Sequence, residues 1–287
     1  MAGTGVSVRQ LLERTRARLA GAGIQEYRLE AELLLQHVLE IDSARMFAGL
    51  GDSVPSKAET TLRRAVDRRA DREPLAYITG RRAFYGREFG VTPDVLIPRP
   101  ETELLVDLAL RWAAGRSGLQ IVDIGTGSGA LAVTLASEMR DAAIDAVDLS
   151  PRALDVARSN ARQFGAADRI EFLEGDLAGP LEGRRYQLVI ANLPYVRSDT
   201  LTRAEDEVRR EPVLALLGGQ DGLDVIRRFA PMLPDIMDPA GSLALFEVDP
   251  LTAGGAAETI ATALPGARVW VELDLARLER CVAAELA

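Results

Sequence analysis

Ala191-Asn192-Leu193-Pro194-Tyr195 directly follows the apolar run Tyr186-Gln187-Leu188-Val189-Ile190. An Asn at the mouth of a buried strand, followed by a Pro and an aromatic, offers acceptors and a flat wall to a planar NH2 group. An amide or an aminopurine would suit it. Such a nitrogen is a poor nucleophile because its lone pair is delocalised. A site that accepts hydrogen bonds from both N–H groups positions it and favours the rehybridised, positively charged transition state. The Asn192 side-chain oxygen and the Leu193 carbonyl are the candidate acceptors, Pro194 stiffens the loop, and Tyr195 supplies the wall. No strong general base is needed, since the substituted nitrogen becomes acidic and sheds its proton afterwards.

Upstream lies Val122-Asp123-Ile124-Gly125-Thr126-Gly127-Ser128-Gly129. A glycine turn between a strand and its helix lets backbone amides and the helix N-terminus approach an anionic group of a nucleoside cofactor. Gly125, Gly127 and Ala130 also satisfy the loose dinucleotide form G-x-G-x-x-A, with Asp148 about where a ribose-binding acid belongs, so an NAD reading competes. The neighbouring acids favour S-adenosylmethionine. Asp123 could meet a cationic amino group, directly or through water, where a pyrophosphate would be repelled. Asp148 would take the ribose hydroxyls. Asp176 could accept from the adenine amine, with Leu177 packing on the ring. Each acid alone could be a cap or loop residue, but together with the glycine turn they suggest methyl transfer to a nitrogen.

Composition narrows the partners. The chain has 287 residues, 47% hydrophobic and 27% charged, as in ordinary globular proteins, with a net charge of -9. A generic nucleic-acid surface needs clustered Lys and Arg, so a protein or small-molecule substrate fits better. Cys281 and His37 are the only residues of their types, which argues against an intramolecular disulfide, a metal centre and a histidine-based triad. Neither a secretory signal nor an apolar run of membrane-spanning length is evident, so no membrane is expected and the expected location is the cytoplasm.

The elements that must position these residues follow from periodicity. Ser7 to Gln10 has the form of a capping box, leading a helix that Gly21 and Gly23 stop. Tyr27 to Glu40 and Lys57 to Asp71 predict two more helices, the latter with a solvated face carrying Arg63, Arg64, Arg68 and Arg69. Residues 1–75 therefore read as a small all-helical domain, 76–98 as a linker with a short hairpin, and 99–287 as the domain that holds the site. Beyond 98, helices and strands alternate: a helix over 101–112, strand 119–124, helix 130–139, strand 144–148, helix 151–164, and strands 170–173 and 186–191. Helix 223–233, strand 242–248, helix 252–264 and strand 267–273 follow, with the type of 278–286 left open. Such alternation implies an α/β fold, a parallel sheet with helices on both faces.

With these residues in hand, the chain resembles the class I S-adenosylmethionine-dependent methyltransferases, and among them the release factor glutamine methyltransferases, the PrmC/HemK family. The resemblance spans nearly the whole chain. Its most specific stretches are Glu73-Pro74-Leu75-Ala76-Tyr77-Ile78-Thr79-Gly80, Phe84-Tyr85-Gly86, and Leu96-Ile97-Pro98-Arg99-Pro100-Glu101-Thr102-Glu103. Glu211-Pro212, Ala215-Leu216 and Gly218 to Leu223 form a further one. The resemblance implies a Rossmann-like domain with a mostly parallel seven-stranded sheet, and methylation of the Gly-Gly-Gln glutamine of class 1 peptide chain release factors. It further implies that Gly125, Thr126, Gly127, Ser128, Gly129, Asp148, Leu177 and Asn192 line the cofactor. Asn192, Leu193, Pro194 and Tyr195 would hold the glutamine, the Leu96 to Glu103 segment would border its pocket, and the helical domain would help dock the release factor.

There are departures from the family pattern. Leu193 stands where the family usually has Pro, and Asn-Leu-Pro-Tyr is similar to the motif of rRNA adenine dimethyltransferases. Leu177 stands where an aromatic is frequent, and Phe246-Glu247-Val248-Asp249 lacks the expected Glu-Ile-Gly. An adenine N-methyltransferase and a non-catalytic protein-binding module on the same fold are the alternatives.

Overall fold

A computed structural model describes residues 5–287, in two compact units. The helical unit comprises the chain up to Gly80 together with Asp206–Arg210. Its first helix, Val8–Gly21, opens on the expected capping box: Ser7 Oγ accepts from the Gln10 amide at 3.3 Å, and Gln10 Oε1 accepts from the Ser7 amide at 2.9 Å. Tyr27–Leu39 and Ser56–Ala70 are helical as predicted, and a short helix over Ser43–Ala48 adds to them. Leu11, Leu19, Leu34, Leu35, Met46 and Leu62 fill the core between them. The unit runs to Gly80 instead of ending at 75 because a further turn, Leu75–Thr79, contributes Ile78 to that core.

Arg69 departs from its expected solvated face. It is buried, its guanidinium held by Glu30 Oε2 at 2.5 Å and Glu207 Oε1 at 3.0 Å. Breaking such a buried pair from one side costs about 3–5 kcal/mol, because it leaves an uncompensated charge inside.

The second unit begins with the predicted hairpin, β1 (Arg81–Phe84) and β2 (Arg87–Gly90), turning at Tyr85 and Gly86. The sheet strands are β3 (Gln120–Ile124), β4 (Ala143–Asp148), β5 (Ile170–Glu174), β6 (Leu188–Ala191), β7 (Ser242–Glu247), β8 (Arg268–Leu273) and β9 (Glu279–Leu286). They lie in the order β5-β4-β3-β6-β7-β9-β8, with β9 antiparallel to both of its neighbours. The open segment 278–286 is therefore a strand. Its central residues Cys281 to Ala284 are all buried, so no alternation marks them.

Two cores coat the two faces of this sheet. Along β6, Leu188 and Ile190 enter one while Val189 and Ala191 enter the other. A strand covered on both sides can only read as an unbroken apolar run. The predicted 223–233 helix is interrupted instead: Asp224–Phe229 and Leu233–Ile236 are α-helical with a 3-10 turn, Ala230–Met232, between them. Pro231 and Pro234 each sit in the first turn of a new segment, where the missing N–H costs nothing.

Candidate active site

Strands β3 and β6 are parallel neighbours, with Ile124 beside Ala191. The chain direction across the sheet reverses here, since β3 has β4 on its other side. Open α/β sheets form their ligand crevice at the carboxyl ends of the strands at such a point. Register therefore sets Gly125 next to Asn192. A Cβ built on Gly125, at φ 75°, would stand 3.5 Å from Leu193 Cδ2 and 3.8 Å from the Asn192 carbonyl oxygen. The cofactor-type turn and the acceptor-type turn are thus in contact.

A single cleft runs along both turns. Gly125, Thr126, Gly127 and Ser128 line it, as do Asp148, Asp176, Leu177, Asn192, Leu193 and Pro194. Leu96, Pro98, Arg99 and Thr102 form another wall, and Pro212, Leu214 and Ala215 a third. Gly129 and Tyr195 are not lining residues. A Cβ on Gly129 would come within 3.2 Å of Ala157, so this glycine lets the Ala130–Glu138 helix pack against the Pro151–Gln163 helix. Tyr195 turns its hydroxyl inward to Glu247 Oε1 at 2.9 Å. Burial, then the adjacent carboxylate, raise its pKa well above the ordinary tyrosine value.

The glycine turn does not present its amides as expected. Gly125 and Thr126 donate to the Val147 carbonyl at 2.8 and 2.9 Å, and Gly129 to Thr126 at 2.8 Å. Gly127 donates to Asp148 Oδ2, also at 2.8 Å. A pyrophosphate would need these amides, so the dinucleotide reading loses its main support. Asp148 accepts from the Ser150 amide through its other oxygen at 2.8 Å, and burial still raises its pKa. Buried Asn160 braces the turn from behind, donating to the Ser128 carbonyl at 2.8 Å and to that of Gly90 at 3.0 Å.

Asp123 lies beneath the turn instead of lining the cleft. Its Oδ2 accepts from Thr126 Oγ1 at 2.7 Å and from the Ala132 amide at 3.2 Å, while Oδ1 is buried without a partner. Burial, with a smaller push from Asp148, raises its pKa to about 7. An unpaired carboxylate oxygen in that position is suited to a nearby cation. Asp176 is exposed and already pairs with Arg228, another lining residue. Leu177 holds φ 53°, sparsely populated for a branched side chain, and is buried against the cleft.

Two further residues, Glu211 and Gly218, shape the pocket walls. Glu211 is buried and accepts from the Ile97 amide at 3.0 Å and from Arg99 Nη2 at 2.5 Å, clamping the Leu96 to Thr102 wall. Gly218 passes so close to the acceptor turn that a Cβ there would meet the Pro194 carbonyl oxygen and Tyr195 Cα at 2.7 Å each. In the sequence they stand out only within the Glu211 to Leu223 stretch, whose spacing does not reveal what either residue touches.

Residues 10–80 match the family model of the PrmC N-terminal domain, and residues 121–211 that of a methyltransferase domain. A release factor glutamine methyltransferase of Moorella thermoacetica is 41% identical over 240 residues, covering 84% of this chain and 85% of its own. That of Deinococcus radiodurans is 37% identical over 282 residues, covering 98% and 99%. Among solved structures, a methyltransferase from Pyrococcus furiosus superposes with a TM-score of 0.52 at 14% identity, over 77% of this chain and 97% of that one. That likeness extends to the fold alone. A methyltransferase domain of this kind takes its methyl group from an S-adenosylmethionine-type donor. The helical unit, the sheet order and full-length relatives agree, and the chain belongs to the release factor glutamine methyltransferase family.

Proposed function

We propose that this protein transfers a methyl group from S-adenosylmethionine to the side-chain amide nitrogen of the glutamine in the Gly-Gly-Gln motif of class 1 peptide chain release factors. The observation that carries this reading is the contact between the Gly125 turn and Asn192 at one end of one cleft. The donor supplies an electrophilic methyl on a sulfonium. Asp148 would accept from its ribose hydroxyls, Leu177 would pack on its adenine, and Asp176 would accept from the adenine amine after sharing or releasing Arg228. Asp123 would answer the cationic amino group from beneath the turn. Asn192 Oδ1 and the Leu193 carbonyl would receive the two amide protons of the glutamine, holding its nitrogen toward the methyl. Leu193 needs only its carbonyl for this, so the absence of Pro leaves the role intact.

A net charge of -9 favours a protein substrate over a nucleic acid. The helical unit would help dock the release factor, and the reaction would take place in the cytoplasm. No described helix is long and apolar enough to cross a membrane. Purified protein incubated with S-adenosylmethionine and a release factor should add one methyl to the Gly-Gly-Gln glutamine, mapped by peptide mass spectrometry. A release factor left unmodified while an RNA or DNA adenine gains the methyl would replace this reading with the adenine alternative.

The Asp123 carboxyl gives donor binding a pH dependence. A cation nearby favours the ionised form, so the bound-state pKa falls below about 7 and affinity rises with pH through that value. Affinity should improve roughly 5-fold from pH 6 to 7, an interval in which the donor's own amine stays mostly protonated. Calorimetric titrations would show it, and Asp123→Asn should flatten the profile. A flat wild-type profile would remove Asp123 from the site.

A further inference from the structure

Two cations line the cleft, and each is paired with an acid: Arg228 with Asp176, and Arg99 with Glu211. The second pair is built differently from the first, which is exposed on both sides. Glu211 is buried, and its two oxygens accept from the Ile97 amide at 3.0 Å and from Arg99 Nη2 at 2.5 Å. Its place is therefore fixed by the backbone, and it fixes the guanidinium in turn. Arg99 keeps 31% of its side chain exposed, and its Nε and Nη1 have no protein partner among the described residues. It also stands beside the acceptor turn. Its carbonyl accepts the Thr102 amide at 3.2 Å across the 3-10 turn Pro100–Thr102, and Thr102 Oγ1 lies 3.1 Å from Asn192 Nδ2.

A guanidinium is always charged, and its planar fork matches a carboxylate. Left unopposed at this position, Arg99 would draw in a glutamate side chain, which has nearly the size and shape of glutamine. The acceptors Asn192 Oδ1 and the Leu193 carbonyl disfavour a carboxylate, but the attraction of a free arginine would work against them. Glu211 cancels that attraction and leaves N–H groups that can still meet a neutral carbonyl oxygen of the substrate peptide. We infer that Glu211 is a specificity-determining residue: by neutralising Arg99 in the cleft wall, it makes the acceptor site favour a side-chain amide over the matching carboxylate. Glu211 is not itself a lining residue, so it acts through Arg99. This inference rests on the amide-methylation reading given above, because glutamate competes only where glutamine is the substrate.

Competition binding tests it without turnover. The probes are an unmethylated class 1 release factor and the same protein with its motif glutamine replaced by glutamate, both in the presence of S-adenosylhomocysteine. Wild-type protein is expected to favour the glutamine form. Glu211→Gln leaves the wall with one net positive charge, and should raise affinity for the glutamate form relative to the glutamine form by about tenfold. The gain should shrink as salt is added. Arg99→Gln leaves the wall with one net negative charge, and should move the same ratio about tenfold the other way. Opposite shifts are the signature of charge, since a clamp that merely held the wall in shape would weaken both forms alike in both variants. Should Glu211→Gln fail to fold, Arg99→Gln decides alone, because it leaves Glu211 its Ile97 bond and a neutral donor. An unmoved ratio in Arg99→Gln, or equal affinity of wild-type protein for the two forms, overturns the inference. If wild-type protein methylates the glutamine while the ratio stays put, only this inference fails; if it methylates no glutamine, the substrate reading falls and the inference with it.

Discussion

Replacing Asn192 with alanine is expected to lower kcat by about 10²- to 10³-fold while weakening donor binding by less than about tenfold, the pattern left when an interaction made mainly in the transition state is lost. The glutamine nitrogen gains positive charge as it takes the methyl, and its N–H groups become stronger donors as this happens. An acceptor held against them therefore contributes more at the barrier than in the ground state. Asn192 stands at the end of β6 with its amide tied to Thr102, so its oxygen does not have to reorganise during the step. Steady-state assays on a release factor, with donor affinity measured separately by calorimetry, divide the two effects. Wild-type turnover by Asn192→Ala would refute the role given to this residue.

Asp148→Ala should show the opposite division, with donor Kd raised about 100-fold and kcat at saturating donor much less affected. The carboxylate accepts from the Gly127 and Ser150 amides, so its loss frees both the glycine turn and the loop that follows β4. Hydrogen bonds to a charged group contribute about 1.5–3 kcal/mol each, and every 1.4 kcal/mol is tenfold in affinity. Loss of the acceptors for the ribose hydroxyls adds to this. Asp148→Asn should be nearly as damaging, because its NH2 end would face an amide N–H. Calorimetry on both variants decides the matter: unchanged donor affinity in either would leave Asp148 as a loop brace with no part in binding.

Much of this arrangement was legible in the sequence because it is local. The apolar run before Asn192, the capping box at Ser7 and the glycine turn each carry their signal within a few residues. Adjacency of Gly125 and Asn192 followed once β3 and β6 were neighbours in a parallel sheet. What escaped was non-local. Arg69 reads as one of a run of surface arginines, and its burial depends on Glu30 and on Glu207, which lies far along the chain. Glu247 stands out in the sequence only as part of a departure from the family pattern, while its contact with Tyr195 joins the end of β7 to the acceptor turn. The engagement of the Gly125, Thr126 and Gly127 amides is non-local in the same way: the acceptors that take them, Val147 and Asp148, belong to the neighbouring strand.

Those satisfied amides bear on how the enzyme would respond to its own product. A turn whose N–H groups are already engaged by the protein has little conformational entropy left to lose, so a ligand meets it preformed. Such a surface does not close selectively around the methylated form. The spent cofactor, lacking one methyl and one positive charge but keeping the ribose, adenine and amino group, would compete for it on nearly equal terms. Methylation of release factors would then follow the ratio of donor to spent product around the enzyme, more than the amount of donor alone.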